Sequence, residues 1–117
     1  MKHATRFSQL SAPRQALVRL LQSINFGFIE DLEVRGGEPM FSPAPNVIVE
    51  VKLDTPDEPR PEADLSDFEL RAEFARLMEQ LDSFGDGSIH RIDIRYSVPR
   101  RALIERPVNV LSREVRR

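Results

Sequence analysis

Residues 12–39 read APRQALVRLLQSINFGFIEDLEVRGGEP, and residues 72–99 read AEFARLMEQLDSFGDGSIHRIDIRYSVP. Laid on each other at a shift of 60 residues they align without a gap, with eight of 28 positions identical. The identities are Ala12/Ala72, Leu17/Leu77, Leu21/Leu81, Ser23/Ser83, Gly27/Gly87, Ile29/Ile89, Arg35/Arg95 and Pro39/Pro99. Val18/Met78, Ile24/Phe84, Leu32/Ile92, Glu33/Asp93 and Val34/Ile94 are conservative pairs. Self-similarity at a fixed period is the mark of a repeated structural unit. The matches fall where a helix, a turn and a strand each need them.

In the first copy Ser11 suits an N-cap and Pro13 the first helical turn. Ala16, Leu17, Leu20, Leu21 and Ile24 recur at helical spacing, which sets Arg14, Arg19 and Gln22 outward. Asn25-Phe26-Gly27 ends the helix. From Phe28 to Arg35 the period becomes two, with Leu32 and Val34 on one face and Asp31, Glu33 and Arg35 on the other. Gly36-Gly37 marks a turn, and Met40-Phe41 begins the return. Pro39, Pro43 and Pro45 break any regular ladder there. Asn46–Leu53 reads as the second strand, with Val47, Val49, Val51 and Leu53 against Ile48, Glu50 and Lys52.

The second copy has a stronger start. Ser66 and Glu69 make a capping-box pattern, and Leu65 is placed to staple onto Leu70. Leu70, Phe74, Leu77, Met78, Leu81 and Phe84 form the core stripe, and Gly85-Asp86-Gly87 ends the helix. Ser88–Val98 follows as a strand, with Ile92, Ile94, Tyr96 and Val98 inward and Arg91, Asp93 and Arg95 outward. Pro99-Arg100 reverses the chain, and Arg101–Glu105 pairs back. Ile29 and Ile89 both break the alternation, which predicts a bulge at that place in each copy and turns His90 to solvent.

Each copy is thus helix–strand–strand, and the tandem is α-β-β-α-β-β. The expected fold is an α+β two-layer sandwich: a four-stranded, mainly antiparallel sheet with both helices on one face, related by a pseudo-twofold axis. A 60-residue unit alone buries only about 60% of its unfolded surface, so two units sharing one core is the stable arrangement. The chain reads as a single domain, 1–117: a loose arm over 1–10, repeat one over 11–53, a linker over 54–64, repeat two over 65–106 and a tail over 107–117. Val108, Val110 and Leu111 offer a short extra strand in that tail.

The chain has no cysteine, so disulfides, thiolate metal sites and cysteine nucleophiles are excluded. No apolar run reaches the roughly 18 residues of a membrane span, and the N-terminus lacks a signal-peptide pattern. A cytoplasmic protein with no membrane partner is expected. The net charge of −2 hides a segregation: residues 1–29 carry about +4, 30–86 about −11 and 88–117 about +5. Basic ends and an acidic middle neutralise each other within a chain or between chains, or offer a basic patch to an anionic partner.

No catalytic, cofactor-binding or metal-ligating set emerges. His90 and its counterpart Glu30 could serve as base and acid, but a strand histidine facing solvent is the simpler reading. Asp54, Asp57, Glu58, Glu62 and Asp64 lack the alternation, glycine and terminal glutamate of a calcium loop and lie among prolines. The glycines match no phosphate-binding fingerprint, and no serine sits in a nucleophile elbow. An enzyme is not expected.

The polar residues with most to say are the arginines. Arg91, Arg95, Arg100, Arg101 and Arg106 make a strip on and after the second hairpin that suits an anionic partner, and Arg113, Arg116 and Arg117 follow in the tail. The aromatic platform of single-strand RNA readers is missing, since Tyr96 points inward and no RNP-like motif is present. Asp31, Glu33 and Glu50 give the first hairpin an acidic face suited to protein contacts. The run Ile24-Asn25-Phe26-Gly27-Phe28-Ile29-Glu30, with Val34-Arg35-Gly36-Gly37-Glu38-Pro39, resembles small uncharacterised bacterial proteins that share an amphipathic helix, an FG-type turn and a hairpin. Longer members of that group sit near site-specific recombinases on mobile elements, so the resemblance implies an accessory role in DNA mobility and no catalytic residues. The residues themselves point first to a non-catalytic interaction module that binds a protein partner or forms a homo-oligomer through its sheet face or edge strands. The alternative is a nucleic-acid-binding accessory protein using the arginine strip and tail.

Overall fold

A computed structural model describes residues 4–56 and 65–105. Helices α1 (Ala12–Gln22) and α2 (Ala72–Phe84) accompany five strands: β1 (Phe26–Arg35), β2 (Glu38–Met40), β3 (Asn46–Val49), β4 (Gly87–Arg95) and β5 (Val98–Ile104). The sheet order is β2-β1-β4-β5, with β3 pairing the other end of β1, and all the pairings are antiparallel. The fold is therefore α+β. The linker from residue 57, Arg106 and the tail lie outside the described residues.

Both helices bury their apolar stripes against one face of the sheet. Leu17, Val18, Leu21 and Ile24 meet Phe74, Leu77, Met78 and Leu81 over Ile29, Leu32, Val34, Ile89, Ile92 and Ile94, all in one cluster. Full burial of a Leu, Ile or Phe side chain contributes about 1.5–3 kcal/mol, so this cluster dominates the stability. None of the described helices is long and apolar enough to cross a membrane.

The central ladder runs from Phe26↔Arg95 to Val34↔Gly87 and skips Asp31 and His90, where an irregularity was expected. Asp31 takes a φ of 61°, and His90 is the extra residue of a bulge against β5. The bulge leaves His90 exposed, with Nε2 2.7 Å from Oε1 of Glu105.

The two hairpins turn at corresponding places. Gly36 and Gly37 have φ of 56° and 76°, and Tyr96 and Ser97 have φ of 55° and 61°. Two-residue hairpin loops favour positive φ at both central positions because that twist matches the strands. The second reversal thus lies at Tyr96-Ser97, not at Pro99-Arg100, and β5 starts at Val98. This also overturns the inward placement of Tyr96, which is 60% exposed.

The return strand of the first hairpin is broken where the prolines cluster. β2 ends at Met40, and pairing resumes at Asn46. The expected strand over Asn46–Leu53 is regular only to Val49, and its apolar residues are not buried: Val47, Val49, Val51 and Leu53 are all exposed. β3 rests on β1 rather than beneath a helix. Gly27 allows it to sit so close, since a Cβ there would lie 2.1 Å from the carbonyl oxygen of Ile48.

The start of the chain is docked rather than loose from residue 5. The Phe7 N–H donates to the Phe68 carbonyl at 2.9 Å and the Leu70 N–H to the Thr5 carbonyl at 2.8 Å. The rings of Phe7 and Phe68 stack at 5.0 Å, and Phe7, Leu10, Phe68 and Leu70 are buried. Residues 66–67 bend and Glu69 bridges to Arg6, so α2 begins only at Ala72 and the Ser66–Glu69 capping box does not form. Leu65 is exposed instead of stapled. Asp67 is the anchor there: Oδ1 accepts the Ser8 N–H at 2.8 Å and Oδ2 the Arg6 Nε–H at 2.9 Å. The Arg6 bond and then the Ser8 bond hold its carboxyl down to about 2.

The docked arm also changes the outer side of α1. Arg19 lies over the Phe7 ring at 4.3 Å, and Gln22 is 5% exposed. Arg14 turns to the end of the first hairpin, donating to the Gly37 carbonyl at 2.9 Å and to Asp82 Oδ1 at 2.7 Å.

Candidate functional site on the open sheet face

The helices cover one face of the sheet, and no described element covers the other. Alternation places Phe26, Phe28 and Glu30 of β1 on the open side, because Ile29, Leu32 and Val34 are buried under the helices. In β4 the same alternation, with Ile92 and Ile94 buried, sends Arg91, Asp93 and Arg95 outward. One cross-strand row runs Ile48, Phe28, Asp93, Arg101, and the next runs Asn46, Glu30, Arg91, Leu103. Phe26, Phe28, Tyr96 and the arginines line a shallow depression of about 790 Å³.

Asp93 organises the basic side of this depression. Its Oδ1 accepts Arg91 Nε–H at 2.7 Å and its Oδ2 accepts Arg101 Nε–H at 2.8 Å. Burial pushes the Asp93 carboxyl up, but the hydrogen bonds and charges of Arg91 and Arg101 together outweigh it, so the group sits below the usual carboxylate range. Two guanidinium groups are thereby held side by side at fixed orientation. Arg91 also lies over an aromatic ring, its guanidinium carbon 3.8 Å from the centroid of Phe28. Cation–π contact of this kind contributes about 0.5–1 kcal/mol at exposed sites.

The second aromatic group lies at the end of the sheet. Tyr96 meets Phe26 edge-on, with centroids 4.8 Å apart at 67°. Lys52 Nζ stands 4.9 Å from the Phe26 ring. Arg95 is exposed at the same rim, and Glu50 lines it while its N–H donates to the Phe26 carbonyl at 2.7 Å.

Of the residues expected to bind an anionic partner, Arg91, Arg95, Arg100 and Arg101 come together at this depression. Arg100 is shared with the helix layer, since its Nη1 donates to Glu73 Oε2 at 3.1 Å. Arg106 lies outside the described residues. The acidic set does not assemble. Glu50 is at the depression, but Asp31 is exposed beside Asn46, whose amide reaches it at 3.5 Å, and Glu33 is half-buried opposite Met40 and Ser88. Glu30 stands opposite Arg91, so the Glu30–His90 pair is not made. Among the described residues no group of three or more His, Asp or Glu is placed to hold a metal ion.

Sequence reasoning missed Phe26, Phe28 and Tyr96. The first was assigned to the helix stop and the last to the core. The spacing of Phe26 and Phe28, two apart at the start of a strand whose buried positions are odd-numbered at that end, was the available signal. No family model, no curated protein and no solved structure matches this chain.

Proposed function

We propose that this chain is a non-catalytic interaction module that takes a protein strand, from a partner or from a second copy of itself, along the edge of β3 that no described strand pairs. The observation that carries this reading is that all four residues of β3 are exposed, and that Val51 and Leu53 continue the apolar run at 61% and 95% exposure. Edge strands present a row of unpaired N–H and C=O groups, and proteins usually blunt them with lysine, proline or a bulge. Asn46–Val49 carries none of these within it; Pro45 and Lys52 lie outside its ends. Asp31 and Glu50 bracket the strand and favour a partner with basic residues flanking its own. Antiparallel addition of a second β3 would give a twofold dimer with a continuous sheet.

Light scattering across a concentration series, with the wild type and a Val47→Lys/Val49→Lys variant, tests this. The expected result is a wild-type dimer, or a wild-type monomer that binds a peptide copying residues 46–53, with either association lost in the variant. A wild type that neither self-associates nor takes the peptide would overturn strand addition, as would association that the variant leaves unchanged.

A further inference from the structure

We propose that the depression on the open sheet face binds single-stranded nucleic acid, with Tyr96 and the Arg91–Phe28 layer as stacking platforms and Arg95 and Arg101 as phosphate contacts. The site is distinct from the free edge of β3 and stands whether or not that edge takes a strand. Two flat surfaces face solvent in one concavity. One is the Tyr96 ring, exposed and supported edge-on by Phe26. The other is the partly exposed Arg91 guanidinium, which lies over Phe28 and is tethered by its bond to Asp93. Nucleobases stack on aromatic rings and on guanidinium planes alike, and both are sequence-tolerant platforms.

Charge at the site favours a polyanion. Four arginines line it against Glu50 and Asp93. Asp93 does not repel an incoming phosphate as a free carboxylate would, because both its oxygens are engaged by Arg91 and Arg101. The acids Asp31 and Glu33 of the first hairpin do not line it. The combination selects a single strand over a duplex, since a duplex keeps its base faces stacked inside and presents only groove edges and backbone.

The position of Tyr96 is a further sign. It sits at a φ of 55° in a two-residue turn whose counterpart in the first hairpin is Gly36. A bulky residue at positive φ is strained, and such outliers concentrate where a side chain is needed for a task other than folding. An exposed ring there adds little to the core, but it projects over the depression.

Fluorescence anisotropy with labelled oligothymidylate, oligouridylate and a duplex, each titrated at several salt concentrations, tests the proposal. Tyr96→Gly is the informative variant, because glycine suits the turn and a thermal melt reports directly that the fold is kept. Arg95→Gln is its electrostatic companion. Saturable binding of either single strand, tighter than that of the duplex, is expected. Tyr96→Gly should weaken it by roughly five- to hundredfold, the range found for loss of one stacking platform. Arg95→Gln should lower the magnitude of the salt slope by about 0.7. A preference between the two single strands that persists when oligodeoxyuridylate replaces oligothymidylate would assign the sugar. No saturable binding at low salt would overturn the proposal, as would duplex binding of equal strength or single-strand affinity indifferent to Tyr96→Gly. Those failures would leave strand addition at β3 untouched, since its readout is mass and its variants lie elsewhere.

Discussion

Asp67 ties two segments that are far apart in the chain, accepting from Arg6 and from the Ser8 backbone. Its folded value of about 2 lies below the ordinary 3.8. A depressed carboxyl stabilises the fold above its unfolded value and loses that contribution as pH falls toward its folded value. The difference in stability between wild type and Asp67→Asn should therefore be constant above pH of about 4 and close between about 4 and about 2, as read by denaturant unfolding at each pH. Arg14 acts at the end of the first hairpin, where its side chain is 13% exposed and clamps Gly37 and Asp82. Arg14→Ala leaves the partly buried Gly37 carbonyl without that donor, and should lower the unfolding free energy by about 1–3 kcal/mol. Neither role was legible from residue type. Helical periodicity set Arg14 on the outer side of α1 because it cannot know that a hairpin end and the last turn of α2 converge there.

At the scale of elements, the two hairpins show what a turn costs. Ser97 is buried and held at a φ of 61°, with its N–H donating to the Asn25 carbonyl at 3.1 Å. Ser97→Gly keeps that bond and relieves the left-handed strain, and should raise the unfolding free energy by about 1 kcal/mol in thermal or denaturant melts. Gly27→Ala should act in the other direction. The added methyl meets the Ile48 backbone, so β3 must leave β1, and amide hydrogen exchange should show lost protection from Asn46 to Val49. The first hairpin turn was readable because Gly36-Gly37 spells it; the second was not, because Tyr96 and Ser97 carry no such mark. The end of strand pairing at Val49 was equally hidden. Alternation in Asn46–Leu53 reports a half-buried strand, yet no helix reaches that part of the sheet.

Over the whole molecule, residues 5–10 close one end of the two-layer fold. Phe7 stacks on Phe68 beneath Arg19, and Phe7→Ala should cost about 3 kcal/mol, within the range for truncating a buried phenylalanine. Equilibrium unfolding in urea measures it, and a change under 1 kcal/mol would show the arm to be loosely held after all. Part of the charge segregation is met within the chain: Arg6 pairs with Asp67, Arg14 with Asp82, and Arg100 with Glu73. The basic first segment and the acidic middle thus meet within one chain. The surplus of guanidinium on the open face remains, around the Asp93 fork.

Periodicity alone carried the α+β class, both helices, the central strands and the irregularity at His90, because each follows from which side of a regular element is apolar. Those are local facts, repeated sixty residues apart. Folding in three dimensions set everything that depends on elements distant in sequence: the arm on residues 67–70, the true start of α2, the bare β3 edge, and Tyr96 beside Phe26 and the arginines. Burial is a property of what covers a residue, and a residue's neighbours along the chain do not say which other segment will arrive to cover it.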